Sequence, residues 1–257
     1  MDLSPLLVGF LVFARMAALL MTLPVTGNRE VPQMVRMALA LPLATVLYPT
    51  VQGAHLPNTI PHLVVAVGGE VALGVAMGFV VTLLTGAVAL ASEIISAKIG
   101  LSMAAMLDPM TGSQGSTLGA LAQVLATGLF FTLDIHLDCV RALGDSLHTL
   151  PPGQVLAPLA AGNVIFEVAT NVFALGVRLS APIMFFALMV NLALMVLGRM
   201  APGLQLFFSI GTSFTVVAGI VLLGTALPAL LQLEGQALEG AFEPMRRIVQ
   251  EMAGVGH

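Results

Sequence analysis

The chain has 257 residues, of which 58% are hydrophobic and 9% charged, with a mean hydropathy of +1.02. An ordinary soluble domain carries about a quarter charged residues, so this composition cannot furnish a water-facing surface and argues against a soluble enzyme. The net charge of -4, with Lys98 the one lysine among nine basic residues, removes the electrostatic basis for nucleic-acid binding, and the single Cys139 excludes a disulfide framework.

The first apolar stretch, 3–26, has no basic residue before Arg15 and no small-residue cleavage pattern, so it reads as a retained helix rather than a secretory signal. Further stretches follow at 34–51, 61–91, 94–107, 117–133, 164–197 and 204–232. The breaks at 27–32, 53–61, 108–115, 148–153 and 198–203 combine Gly, Pro and small polar residues that turn chains and cap helices. At roughly 20 residues per crossing, the chain has room for six or so membrane-length helices. Stretches 61–91 and 164–197 exceed one simple span and are expected to be tilted, broken or doubled. From Gln232 onward Glu234, Glu239, Glu243, Arg246, Arg247 and Glu251 form a charged tail, expected to be helical and interfacial or water-exposed. The fold class is therefore all-α and membrane-associated, in one helical body.

Arg15, Glu70, Glu93, Lys98, Glu167 and Arg178 interrupt apolar stretches, where each ionisable group costs about 2.5–3.5 kcal/mol on insertion scales unless it finds a partner or a cavity. No acid-dense cluster or metal-ligand spacing accompanies them, which favours polar glue between helices or subunits over a proton or ion relay. Glu70, Gly74 and Gly78 share one helical stripe, and Gly74–Gly78 is a GxxxG step that lets another helix approach, so the stripe reads as a packing seam. Glu167, Asn171, Ala174 and Arg178 likewise share a face, which predicts burial against another helix or chain.

Asp134, His136 and Asp138 raise the question of a metal or acid/base set, but in a helix His136 points away from the two aspartates. Residues 112–119 contain neither a nucleophile elbow nor a phosphate-cradling loop. No catalytic residue, cofactor or metal is therefore expected. Among 15 methionines, Met103, Met106 and Met110 gather around the Asp108-Pro109 break. By composition they read as core filling, although flexible thioethers also suit a deformable apolar constriction.

The ordered set of motifs resembles the FliR family of flagellar export-gate proteins, called SctT in virulence-associated type III secretion. The residues that carry the resemblance are 27–32 followed by Arg36, Glu70 with Gly74 and Gly78, and the run 100–109 from Gly100 to Pro109. After these come His136 with Ser146, Pro152-Gly153, Ala181-Pro182, and Arg199-Met200-Ala201-Pro202 with Phe207. The resemblance spans about 5 to 230. It implies membrane-associated helical hairpins assembled into a multi-subunit helical export gate. In that gate one such chain joins FliP-like and FliQ-like subunits, with FlhB-like and FlhA-like export components nearby, in the bacterial inner membrane at a flagellar basal body or secretion-system base. The implied division is a FliP-like part at 1–160, a FliQ-like hairpin at 161–232 and the charged tail at 233–257.

The resemblance further implies that loop 103–117, with Met103, Met106, Leu107, Asp108, Pro109, Met110 and Gly112, plugs the pore against ions until an unfolded export substrate displaces it. Family members commonly carry phenylalanines where this chain has Met103 and Met106. Arg15, Glu70, Gly74, Gly78, Glu167, Asn171, Arg178 and Arg199 are the expected inter-helix and inter-subunit packing positions. The competing class is an ion-coupled multi-spanning membrane transporter using Glu70, Glu167 and Arg178, for which no inverted repeat is found. An intramembrane hydrolase around Asp134 and His136 lacks a convincing nucleophile.

Overall fold

Long apolar runs leave the backbone of this chain one economical way to satisfy its own N–H and C=O groups in lipid, which is the helix. A computed structural model describes residues 4–25, 31–51, 54, 59–100, 117–154, 160–200 and 205–254. Every regular element among them is helical. They are α1 (Ser4–Thr22), α2 (Gln33–Leu47) with a 3-10 turn at Tyr48–Thr50, α3 (Ile60–Ile99), α4 (Thr117–Thr132), α5 (Ile135–Thr149), α6 (Ala161–Met200), α7 (Gln205–Glu239) and α8 (Phe242–Met252).

The joins follow local chemistry. Pro32, with φ -56°, precedes α2, where its missing N–H is no loss. Gly100, with φ +87°, stands just past the end of α3 in the left-handed region that stops helices. Asp134, with φ 56°, turns the chain between α4 and α5, a conformation that short polar side chains tolerate better than most.

Of the alternatives expected for 61–91 and 164–197, tilted, broken or doubled, the last two are not met, for α3 and α6 each run 40 residues without interruption, through Glu93 and Pro182 respectively. Four helical segments among the described residues are long and apolar enough to cross a membrane, at Ser4–Thr22, Ile60–Ile99, Ala161–Met200 and Thr215–Met252, or five if the bent pair Leu118–Thr132 and Ile135–Thr149 counts as one span, against the six or so for which the length leaves room. The apolar part of Thr215–Met252 ends at Gln232. A 40-residue helix is about 60 Å long, whereas a tilt of up to about 40° lets a bilayer core accommodate only about 40 Å. Part of α3 and of α6 therefore extends beyond the hydrocarbon.

The residues cluster into two units. The first holds 1–84, 130–170 and 237–257, and the second 85–129 and 171–236. In the first, α1 packs on α2 and α8 packs on α5. Helix α8 buries Met245, Ile248, Val249 and Met252, the three-and-four spacing of an amphipathic helix, and turns its charges outward. Each of these buried side chains contributes about 1.5–3 kcal/mol. Helix α5 offers Ile135, Cys139, Ala142, Leu143, Ser146 and Leu147 on its buried face.

In the second unit Val88 and Ala91 of α3, Ala122 of α4, Leu179 of α6 and Leu230 of α7 form one cluster, joined by Leu175, Leu223 and Ala226. Ile95 and Ile99 of α3 with Ile183 of α6 form another, joined by Leu118, Leu222 and Leu223. The tail expected to be helical and interfacial or water-exposed departs from that reading at Glu234, which still belongs to α7 and is fully buried.

Ile248 is fully buried on α8, so Ile248→Ala is expected to destabilise the first unit by about 2–5 kcal/mol. Hydrogen exchange should show α8 losing protection ahead of α1. The exposed Arg246→Ala should leave that protection unchanged.

Candidate functional site

Helix α1 carries one charge, Arg15, on the face that also buries Leu11, Val12, Met16 and Leu19. A guanidinium there must find acceptors within the protein. The stripe on α3 that meets it repeats every four residues: Glu70, Gly74, Gly78, Thr82. A Cβ on Gly74 would overlap the Arg15 carbonyl oxygen and stand 2.8 Å from Ala18 Cβ and 3.1 Å from the Leu19 nitrogen. On Gly78 it would overlap Thr22 Oγ1 and stand 2.8 Å from the Leu19 carbonyl oxygen. Only glycine lets the two backbones come this close. One turn further, the Thr82 hydroxyl donates to the Thr22 carbonyl.

Because the glycines draw α1 onto α3, Glu70 stands opposite Arg15. Arg15 Nε donates to Glu70 Oε2 at 2.5 Å, and both side chains have no exposed surface. Nη1 donates to Ser146 Oγ on α5 at 3.0 Å, and Nη2 to the Leu150 carbonyl just past it, also at 3.0 Å. The Ser146 hydroxyl gives its own proton to the Leu143 carbonyl at 2.6 Å. The remaining glutamate oxygen, Oε1, accepts the Gly153 N–H at 2.9 Å.

The chain after α5 is shaped to deliver that last donor. The Gln154 N–H bonds the Pro151 carbonyl at 3.2 Å, with Pro152 and Gly153 as the central pair and Gly153 at φ +86°. Proline first and a left-handed glycine second is the signature of a type II turn. One buried ion pair thus ties α1, α3, α5 and the turn after α5. Both carboxylate oxygens and all three guanidinium nitrogens are engaged, which suits a fixed joint. A buried pair adds little net stability over an apolar replacement, but removing one partner strands the other.

The other positions singled out from sequence are distributed differently. Glu167 of α6 takes both forks of Arg247 on α8, at 3.1 and 2.9 Å, in a half-exposed pair. Exposed fork pairs of this kind are screened by solvent and hold weakly. Asn171, Arg178 and Arg199 are exposed, and so is Lys98. Asp134 precedes α5, Asp138 pairs with Arg141 at the surface, and the His136 ring lies 5.4 Å from that of Phe131. Among the described residues no three His, Cys, Asp or Glu side chains gather as metal ligands. Met103, Met106, Leu107, Asp108, Pro109, Met110 and Gly112 lie outside the described residues. Reasoning from spacing did not single out Thr82, which continues the four-residue stripe, nor Leu150, which acts through a backbone carbonyl and leaves no mark in sequence.

Arg15→Met or Glu70→Gln alone should destabilise the chain by about 3–5 kcal/mol, while Arg15→Met with Glu70→Met should recover most of the loss in the same detergent melt. Gly74→Ala should cost about 1–3 kcal/mol by overpacking. Gly86→Ala, in the same helix with open space around it, should instead gain up to about 1 kcal/mol.

A family model described as "Bacterial export proteins, family 1" matches residues 6–241. The chain is 32% identical over 225 residues to the flagellar biosynthetic protein FliR of Caulobacter vibrioides, covering 87% of this chain and 89% of that one. It is 30% identical over 238 residues to FliR of Escherichia coli K12, covering 93% and 91%. Against FliR of Bacillus subtilis it is 23% identical over 242 residues, covering 93% of each. The match takes in Arg15, Glu70, the glycine stripe, Ser146 and the Pro152-Gly153 turn, and the chain belongs to the bacterial export proteins of family 1, the family of the FliR proteins.

Proposed function

We propose that this chain is a non-enzymatic subunit of the flagellar protein export gate in the bacterial inner membrane, and that it helps to form and to plug the channel for unfolded export substrates. The observation that carries the reading is how little of its own apolar surface the chain covers. Only 11% of the most apolar stretch of α6, and the same share in α7, is buried within the chain, against 56% in α3. Lipid satisfies a bare apolar face, but Arg178 and Arg199 stand exposed on α6, and each would cost about 2.5–3.5 kcal/mol at the centre of a bilayer. Neighbouring polypeptide satisfies both kinds of surface, and it also accommodates the length by which α3 and α6 exceed the bilayer core.

The companions that fit are FliP-like and FliQ-like subunits packed against 1–160 and the 161–232 hairpin, with FlhB-like and FlhA-like components at the base. The joint at Arg15 and Glu70 then keeps the first part of the chain in one shape while partners assemble around it. Loop 103–117 closes the pore with apolar side chains, and energy for transport comes from other components. The transporter alternative draws less support, since Glu70 is fully engaged by Arg15 and Gly153.

Purification in mild detergent from cells expressing the export components separates the two readings. Stable FliP-like and FliQ-like partners are expected, whereas a lone monomer or homodimer that moves a solute selects the transporter. Within the assembled gate, deleting 110–115 or making Met106→Asp should raise ion leakage. Unchanged leakage with assembly intact removes the plug from this proposal.

A further inference from the structure

The face of α7 that packs into the second unit runs through Leu223, Ala226 and Leu230, in steps of three and four. Glu234 is the next position on that face. It has no exposed surface, and neither carboxylate oxygen has a hydrogen-bond partner among the described residues. Its surroundings follow from the register. Leu223 joins the cluster of Ile95 and Ile99, and Leu230 that of Val88 and Ala91, so α7 runs antiparallel to α3. One turn beyond those cluster residues on each helix, Thr85 of α3, Ala126 of α4 and Val172 of α6 are buried as well.

The charged groups on these elements lie elsewhere. In this unit helix α3 carries Glu93 and Lys98, both exposed, and α4 carries none. In this unit α6 carries Arg178 and Arg199, both exposed, and on α7 itself Glu239 is exposed. A buried carboxylate with no hydrogen-bond partner among the described residues is the most costly form this group can take, and taking up a proton relieves it.

We infer that Glu234 is a proton-binding site, a neutral acid while its turn of α7 is packed in the bundle and a charged one when that turn is released. Glu234 lies past Gln232, where the apolar run of α7 ends, and burial pushes its carboxyl up from the ordinary 4.5 to about 7. An acid raised in the folded state contributes stability that is fully present below its unfolded value and is lost as pH rises through the folded one. The window is therefore pH 4.5 to about 7. The inference is independent of the export-gate reading, because it concerns packing within one chain.

The full-length chain in mild detergent, melted across that window, provides the test. The wild-type midpoint should fall with rising pH, Glu234→Gln should flatten the fall, and Glu239→Gln, at an exposed site, should leave it unchanged. Infrared spectra at the acid end should show the C=O stretch of a neutral carboxylic acid that Glu234→Gln removes and Glu234→Asp retains. Equal pH dependence in wild type and Glu234→Gln, or a neutral-acid band of the same intensity in both, overturns the assignment.

Discussion

The first unit depends on a guanidinium that has nowhere to go but inward. Once Arg15 sits on the buried face of α1, every neighbouring element is constrained to feed it or its partner. Helix α3 must bring a carboxylate, which requires glycines at Gly74 and Gly78 so that the backbones can approach. Helix α5 must end with a hydroxyl and a free carbonyl at the right height. The turn beyond must present a backbone N–H, which requires a residue that accepts φ +86°. The glycines, the serine and the Pro-Gly pair look unrelated along the chain, yet they serve one ion pair.

That dependence also separates the two kinds of charge the chain carries. Arg15 and Glu70 are satisfied within the chain, by neighbours 55 to 135 residues away. Arg178 and Arg199 instead stand on the outer surface of a long apolar helix. The first kind shapes the fold, and the second asks for something outside it. A membrane protein that met only lipid would have little reason to keep the second kind, and a soluble one could not keep so much bare apolar surface beside it.

Much of this was legible in the sequence. The all-α membrane class follows from composition, and the seam at Glu70, Gly74 and Gly78 from a four-residue period that has one meaning on a helix. The identity of the partner was not legible, because Arg15 and Ser146 are 131 residues apart and no local pattern links them. The full length of α3 was hidden by Glu93, which falls between the apolar stretches 61–91 and 94–107. A single exposed carboxylate or one proline does not stop a helix whose other turns are intact. Glu234 was misread for the opposite reason. Its neighbours in sequence are charged and solvated, while its neighbours in space continue the apolar stripe of Leu223 and Leu230.

The turn at Pro152 and Gly153 has a consequence for how such a chain is made. Arg15 and Glu70 both leave the ribosome well before the groups that complete their bonding, and Gly153 follows Glu70 by 83 residues. At about 5–20 residues per second, the nascent protein spends about 4–17 s with a half-satisfied ion pair already committed to its first helices. Whatever inserts the chain must shelter that pair until the rest of its ligands have been translated.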